Sequence, residues 1–112
     1  MSEKSMLESK EIYKQLGGNK FSLMTGAKNF GYSETKEGNT NLTFQIGRNK
    51  NSITHVSITL NGLDLYDIEF LKIRMISREA RLERKVKASF QNVYCENLVE
   101  TFENATELYA RL

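Results

Sequence analysis

The sequence predicts a two-layer α+β domain. An N-terminal helix, an antiparallel meander of about five strands and a C-terminal amphipathic helix follow one another, with both helices on one sheet face. Three observations carry this. The middle of the chain alternates apolar and polar residues in short runs separated by polar turns. The last twenty residues repeat their apolar positions at the helical period. The 112 residues include no proline, no repeat and no low-complexity tract, which suits a single domain without linkers.

The first helix is announced by Ser5-Met6-Leu7-Glu8, which fits a capping box. Ile12, Tyr13 and Leu16 then form a short apolar stripe, and Gly17-Gly18 ends it because glycine enters the left-handed region at low cost. FSLM (21–24) is the expected first strand. GYSETKEGNT (31–40) has the composition of a polar loop or hairpin tip. In NLTFQIG (41–47) Leu42, Phe44 and Ile46 face one way; RNKNS (48–52) is a turn. In ITHVSITL (53–60) Val56, Ile58 and Leu60 point inward, and NGLD (61–64) is a tight turn.

YDIEFLKIRM (66–75) begins with Ile68 and Phe70 inward, then slips phase so that Leu71 and Ile73 become the apolar set. A one-residue slip exchanges the faces, which predicts a β-bulge, a strong twist or a strand end at Phe70-Leu71. ISREARLERK (76–85) is expected as a charged loop or short helical turn. VKASF (86–90) is the last strand, with Val86, Ala88 and Phe90 on one face and Phe90 buried. Leu98, Val99, Phe102, Ala105, Leu108, Tyr109 and Leu112 mark a helix of about four turns.

The totals narrow the chemistry. Net charge is only +2, so an electrostatic role needs local clustering. The single cysteine, Cys95, allows no internal disulfide and suits a reducing compartment. No segment approaches the ~18 apolar residues of a membrane span, and MSEKSMLESK lacks the apolar run of a signal peptide, so no membrane association is expected. Both Asn-x-Thr triplets, at Asn41 and Asn104, are then chance matches to a glycosylation acceptor.

One histidine and one cysteine fall short of a zinc ligand set. A His55–Cys95 nucleophile pair lacks a third, orienting residue, and Cys95 is expected as a small buried thiol. Asp64, Asp67 and Glu69 form a tight acidic group able in principle to hold Mg²⁺, against the plainer reading of a polar strand face and a turn aspartate. No metal, cofactor or catalytic residue is expected, and the protein is read as a non-enzyme. MTGAKNF (24–30) sets one glycine before Lys28 with no Ser or Thr after it, which excludes a phosphate-binding loop. Gly26 is expected to bend the chain, Asn29 to take a turn conformation and Phe30 to return to the core, leaving Lys28 at the end away from the basic residues.

The meander order determines which turns share an end. One end collects Lys20 from the Gly17–Lys20 corner, Arg48 and Lys50 from the second turn, and Arg78, Arg81, Arg84 and Lys85 from the charged connection, with Arg74 and Lys87 adjoining. Only Glu79 and Glu83 oppose them. This basic end predicts contact with phosphates of a nucleic acid or nucleoprotein, with Asn49 and Asn51 as added hydrogen-bonding groups. Glu79 and Glu83 pairing with neighbouring cations on a solvated surface is the competing reading. Glu96, Glu100, Glu103 and Glu107 form an acidic stripe on the last helix, expected as a solvated face.

GGNKFSLMTGAKNF (17–30), NLTFQIGRN (41–49), ITLNGLDLYDIEF (58–70) and VYCENLVETFENATELYARL (93–112) resemble a family of small uncharacterised proteins encoded by bacteriophages and prophages. The GAKNF and LN-x-x-D-x-Y-D strings are the most specific parts. Relatives carry a Thr-Gly-Leu-Tyr pattern where this chain has Thr106-Glu107-Leu108-Tyr109, so the last helix is expected to continue through Glu107. The resemblance implies action in the cytoplasm of a bacterial host, where occlusion or inhibition of a host-defence nuclease suits a small non-enzymatic binder. A protein–protein module or homodimer, using the open sheet face or an edge strand, is the alternative.

Overall fold

A computed structural model describes residues 3–108. Helix α1 (Glu3–Leu16) is followed directly by a second helix, α2 (Gly18–Thr25). Five strands then run in chain order, β1 (Lys28–Glu34), β2 (Thr40–Gln45), β3 (His55–Leu60), β4 (Tyr66–Ile76) and β5 (Arg81–Val93), before helix α3 (Leu98–Thr106). All four strand pairings are antiparallel and the sheet order is β1-β2-β3-β4-β5. The α+β meander with helices packed on one face is therefore the fold.

Its first strand is not the expected one. Residues 21–24 lie inside α2, where Phe21 and Thr25, one turn apart, are buried and Leu23 is 84% exposed. The helix persists because Thr25 returns its hydroxyl to the Phe21 carbonyl at 2.7 Å and Gly26, at φ 72°, closes the C-terminus on the Ser22 carbonyl. A strand side chain alternates every second residue; here burial falls at i and i+4. The strand comes instead from Lys28–Glu34, which takes in the first part of the segment expected as a polar loop or hairpin tip; the tip itself is the turn at 35–39. Phe30 stacks on Phe44 at 5.0 Å and meets Tyr13 edge-on at 4.9 Å, while Asn29, at φ 56°, makes the bulge where the β1–β2 register shifts.

Helix α1 begins at Glu3, two residues ahead of Ser5, so Ser5 does not hold the N-cap position; Glu8 accepts the Thr40 hydroxyl at 2.6 Å. At the other end of the chain, Glu107 stops α3 rather than continuing it. It occupies the left-handed region at φ 59°, and its amide bonds the Glu103 carbonyl. The expected helical residues Tyr109 and Leu112 lie outside the described residues.

The core is built from Ile12 and Leu16 of α1, Phe21 of α2, Leu98 and Phe102 of α3, and the inward residues of β2, β3 and β4. Phe21 sits at its centre, 5.7 Å from the Phe44 ring and 4.9 Å from Phe102. Gly26 and Gly47 let α2 and the exit of β2 touch backbone to backbone. The Gly47 amide donates to the Thr25 carbonyl at 2.9 Å, and a Cβ on Gly47 would stand 3.0 Å from that oxygen.

The expected irregularity at Phe70-Leu71 is present. Phe70 pairs with Ala88 but Leu71 pairs with Val86, so Lys87 is an extra residue on β5. Ala88 keeps the core side with Phe70, whereas Val86 turns with Leu71 to the opposite face. The expectation that Val86, Ala88 and Phe90 share a face fails at that bulge. Leu71 is only 3% exposed yet lies outside the main core cluster, consistent with its place on the far side of the sheet.

Candidate nucleic-acid interface

The last pair between β3 and β4 is His55↔Leu71. Beyond it β4 has, among the described residues, no strand partner except β5, and the two continue as a ribbon through Met75↔Leu82 and Ile76↔Arg81 to a 3-10 turn at Ser77–Glu79. The segment expected as a charged loop or short helical turn does contain such a turn, at Ser77–Glu79, but the rest of it belongs to a two-stranded arm, about 17 Å long for five residues per strand. Residues 72–87 hold seven of the chain's sixteen Lys and Arg residues and only two acids, Glu79 and Glu83. The rest of the chain is net acidic by comparison.

Register sorts the arm into two faces. Lys72↔Lys85, Arg74↔Glu83 and Ile76↔Arg81 continue the helix-covered side of the sheet. Leu71↔Val86, Ile73↔Arg84 and Met75↔Leu82 continue the open side. Ion pairing is partial. Arg74 Nε meets Glu83 Oε1 at 2.8 Å, Arg81 Nε bonds Glu79, and Arg84 Nη2 lies 3.6 Å from Glu69. Three of the arm's arginines thus lean on carboxylates, in pairs more than half exposed on the arginine side and of little energetic weight. Lys72, Arg78, Lys85 and Lys87 form no ion pair among the described residues. Lys72 and Lys85 face each other directly across the ribbon, an arrangement that costs stability unless an anion lies between them.

The other expected contributors divide. Arg48 lines a cleft with Lys72, and Lys50 lines one with Lys87, so both belong to the arm's end of the sheet. Lys20 does not join them at the turn. It lies near the start of α2, which reaches that end only at Thr25, because 21–24 is helical. Lys28 is placed the other way from expectation. It pairs with Gln45, on the row that crosses through His55 and Leu71 to the base of the arm. Asn49 and Asn51 are committed to structure: Asn49 bonds the Gly47 and Ile53 carbonyls, and Asn51 reaches the Ala105 carbonyl at 2.6 Å. Phe90 is 40% exposed rather than buried, with its edge on Phe70 at 6.0 Å.

A hydrogen-bonded chain braces this row. Asn29 donates to Gln45, Gln45 meets His55 Nε2 at 3.2 Å, and His55 Nδ1 lies 2.7 Å from the Thr54 hydroxyl, which accepts the Ile73 amide. With the Gln45 carbonyl oxygen taking the Asn29 amide, its NH₂ faces His55 Nε2, an arrangement that suits a neutral ring carrying its proton on Nδ1. Burial lowers the His55 pKa from its ordinary value.

The alternative chemistries do not assemble. His55 stands at the arm end of the sheet and Cys95 follows β5 at the other, with its thiol exposed rather than buried. Asp67 accepts the Asn61 side chain at 3.1 Å and the Asn92 amide at 3.0 Å, Glu69 faces Arg84, and Asp64 sits in the turn at φ 60°. No group of three or more metal-ligating side chains occurs among the described residues. No described helix is long and apolar enough to cross a membrane. No family model, curated protein or solved structure matches the chain.

Proposed function

We propose that this protein is a non-enzymatic binder of nucleic acid, alone or within a host nucleoprotein such as a defence nuclease, and that the β4–β5 arm makes the contact. The observation that carries the reading is the Lys72–Lys85 pair, two lysines at directly opposed positions that form no ion pair among the described residues, with Arg48 beside Lys72, Lys50 beside Lys87 and Arg78 at the arm's tip. A phosphate oxygen between them removes the repulsion. A two-stranded ribbon fits the major groove of a duplex, and residues 72–87 hold no aromatic to stack unpaired bases. Duplex should therefore bind at least as well as single strand, without strong sequence preference. The test is fluorescence anisotropy with a short labelled duplex DNA, the matching duplex RNA and a single strand. With four to six phosphate contacts, affinity should fall about 10²–10³-fold between ~50 and ~200 mM salt. No binding to any of the three at low salt refutes direct contact.

A specific observation also favours self-association. Ile73, Met75, Leu82 and Val86 form an apolar strip on the arm's open face, with Met75 61%, Leu82 63% and Val86 47% exposed. A second copy stacking on this strip would leave the Lys72–Lys85 face of each arm outward and enclose Arg84 with its partner Glu69. Light scattering on the native chain and on Met75→Glu/Leu82→Glu decides it: a dimer that becomes a monomer supports the reading, and a native monomer ends it.

A further inference from the structure

At the sheet edge away from the arm, a cleft of about 310 Å³ opens between α1 and β1. It falls at the lower end of the size range of small-molecule sites. Its walls are Met6, Tyr13, Phe30, Tyr32 and Leu42, and among the described residues Lys10 is the one charged side chain lining it. Phe30 is held between Phe44, stacked at 5.0 Å, and Tyr13, edge-on at 4.9 Å, so the aromatic wall is fixed before anything binds. Fixed walls reduce the ordering cost of binding, and a further ring can join such a cluster edge-on or offset.

The polar groups decide the class of ligand. Ser9 Oγ already donates to the Met6 carbonyl at 2.9 Å. The Tyr13 hydroxyl is taken by Asn19 and Ser22, both at 3.0 Å. Those left at the exposed rim are the Lys10 ammonium, which forms no ion pair among the described residues, and the Tyr32 phenol. Glu8, on the same helix, is occupied by Thr40. An apolar floor with an aromatic wall and a cationic donor at its lip suits a ring joined by a short chain to an anion. We infer that the cleft is a binding site for a small aryl-alkyl carboxylate, ring inward and carboxylate on Lys10. This is independent of the arm.

The experiment is an NMR titration of the folded protein with 3-phenylpropionate, 3-phenylpropan-1-ol and 3-phenylpropylamine, reading the amides of residues 30–32 and 42. The carboxylate should saturate with a Kd on the order of 1–10 mM, as expected for its few heavy atoms, and the amine should bind about five-fold more weakly. Lys10 is exposed, so its variants should fold. Lys10→Arg should keep the preference for carboxylate and Lys10→Glu should reverse it. Absence of saturable shifts, equal binding of the three probes, or an unchanged order in Lys10→Glu overturns the assignment. Equal binding would make the cleft a general apolar groove, open to a peptide strand or a second copy.

Discussion

Changing Lys85 to glutamate should stabilise the fold and weaken DNA binding at once. Lys85 faces Lys72 across the ribbon, where paired Cβ atoms stand about 4.5–5.5 Å apart and like charges repel. Replacing repulsion by attraction at this exposed pair is worth roughly 0.5–1 kcal/mol, or a rise of about 2–4 °C in Tm for a domain of this size. Binding moves the other way. One lost phosphate contact lowers the salt slope by about one and costs roughly eight-fold at ~0.1 M salt, before any repulsion from the new carboxylate. In Lys72→Glu/Lys85→Glu the two positions again carry like charge, so stability should return to near the native value while affinity falls by about another order of magnitude. Denaturation followed by circular dichroism and anisotropy at several salt concentrations read the two quantities on the same samples. Damage to the fold lowers both together. If Lys85→Glu gains stability and binds duplex as the native chain does, the opposed lysines are not a phosphate seat and the proposed function fails.

Three further outcomes are expected. Glu107→Gly should raise stability by about 1 kcal/mol, because Glu107 holds the left-handed conformation that glycine adopts freely; urea titration should show a higher midpoint with an unchanged slope. Gly47→Ala should cost about 1–3 kcal/mol, since its Cβ would press on the Thr25 carbonyl at the α2–β2 contact, and an unaltered urea midpoint would disprove that contact. Stability should fall as pH drops below about 6.5. Burial depresses the His55 pKa, so in this window the unfolded chain binds more protons than the folded one, and the loss continues until pH passes the folded pKa. His55→Gln should flatten this part of the pH profile, measured by chemical denaturation at pH 7 and 5.

The sheet was legible where one face is dry and the other wet. In β2 Leu42 and Phe44 alternate with Thr43 and Gln45 and burial follows the letters; in β3 Val56 and Ile58 are buried as expected, but Ser57 between them is buried too and Leu60 is half-buried. The phase slip at Phe70-Leu71 was legible too, because moving the apolar set to the other face leaves a mark in the sequence. Two kinds of segment were not. FSLM is too short to separate a period of two from one of 3.6, and the signals that identify α2 are Phe21 with Thr25 one turn on, closed by Gly26. β1 is an edge strand exposed along most of its length, so Asn29, Gly31 and Ser33 have the composition of a loop. The arm failed for a related reason. A ribbon with solvent on both sides need not be apolar on either, yet Ile73, Met75, Leu82 and Val86 do keep period two across the charges. That Arg48, Lys50, Arg78, Arg81, Arg84 and Lys85 come from segments at one end of the sheet followed from the meander alone; the register then divides Arg81 and Arg84 between the two faces of the arm. The Lys72–Lys85 opposition and the cleft beside α1 needed register and packing, which no spacing in the chain reveals.

The bulges bear on how this sheet meets copies of itself. An open meander presents two unpaired margins, each a template for fibril growth. Here the β1 margin is kinked at Asn29, and the β5 margin is offset twice, at Lys87 and near Asn92, and lined by Arg81, Arg84, Lys85 and Lys87. Neither is a flat neutral ladder, so stacking into cross-β filaments is resisted sterically at one side and electrostatically at the other. Neutralising the second barrier with a polyanion leaves only the kinks to oppose it.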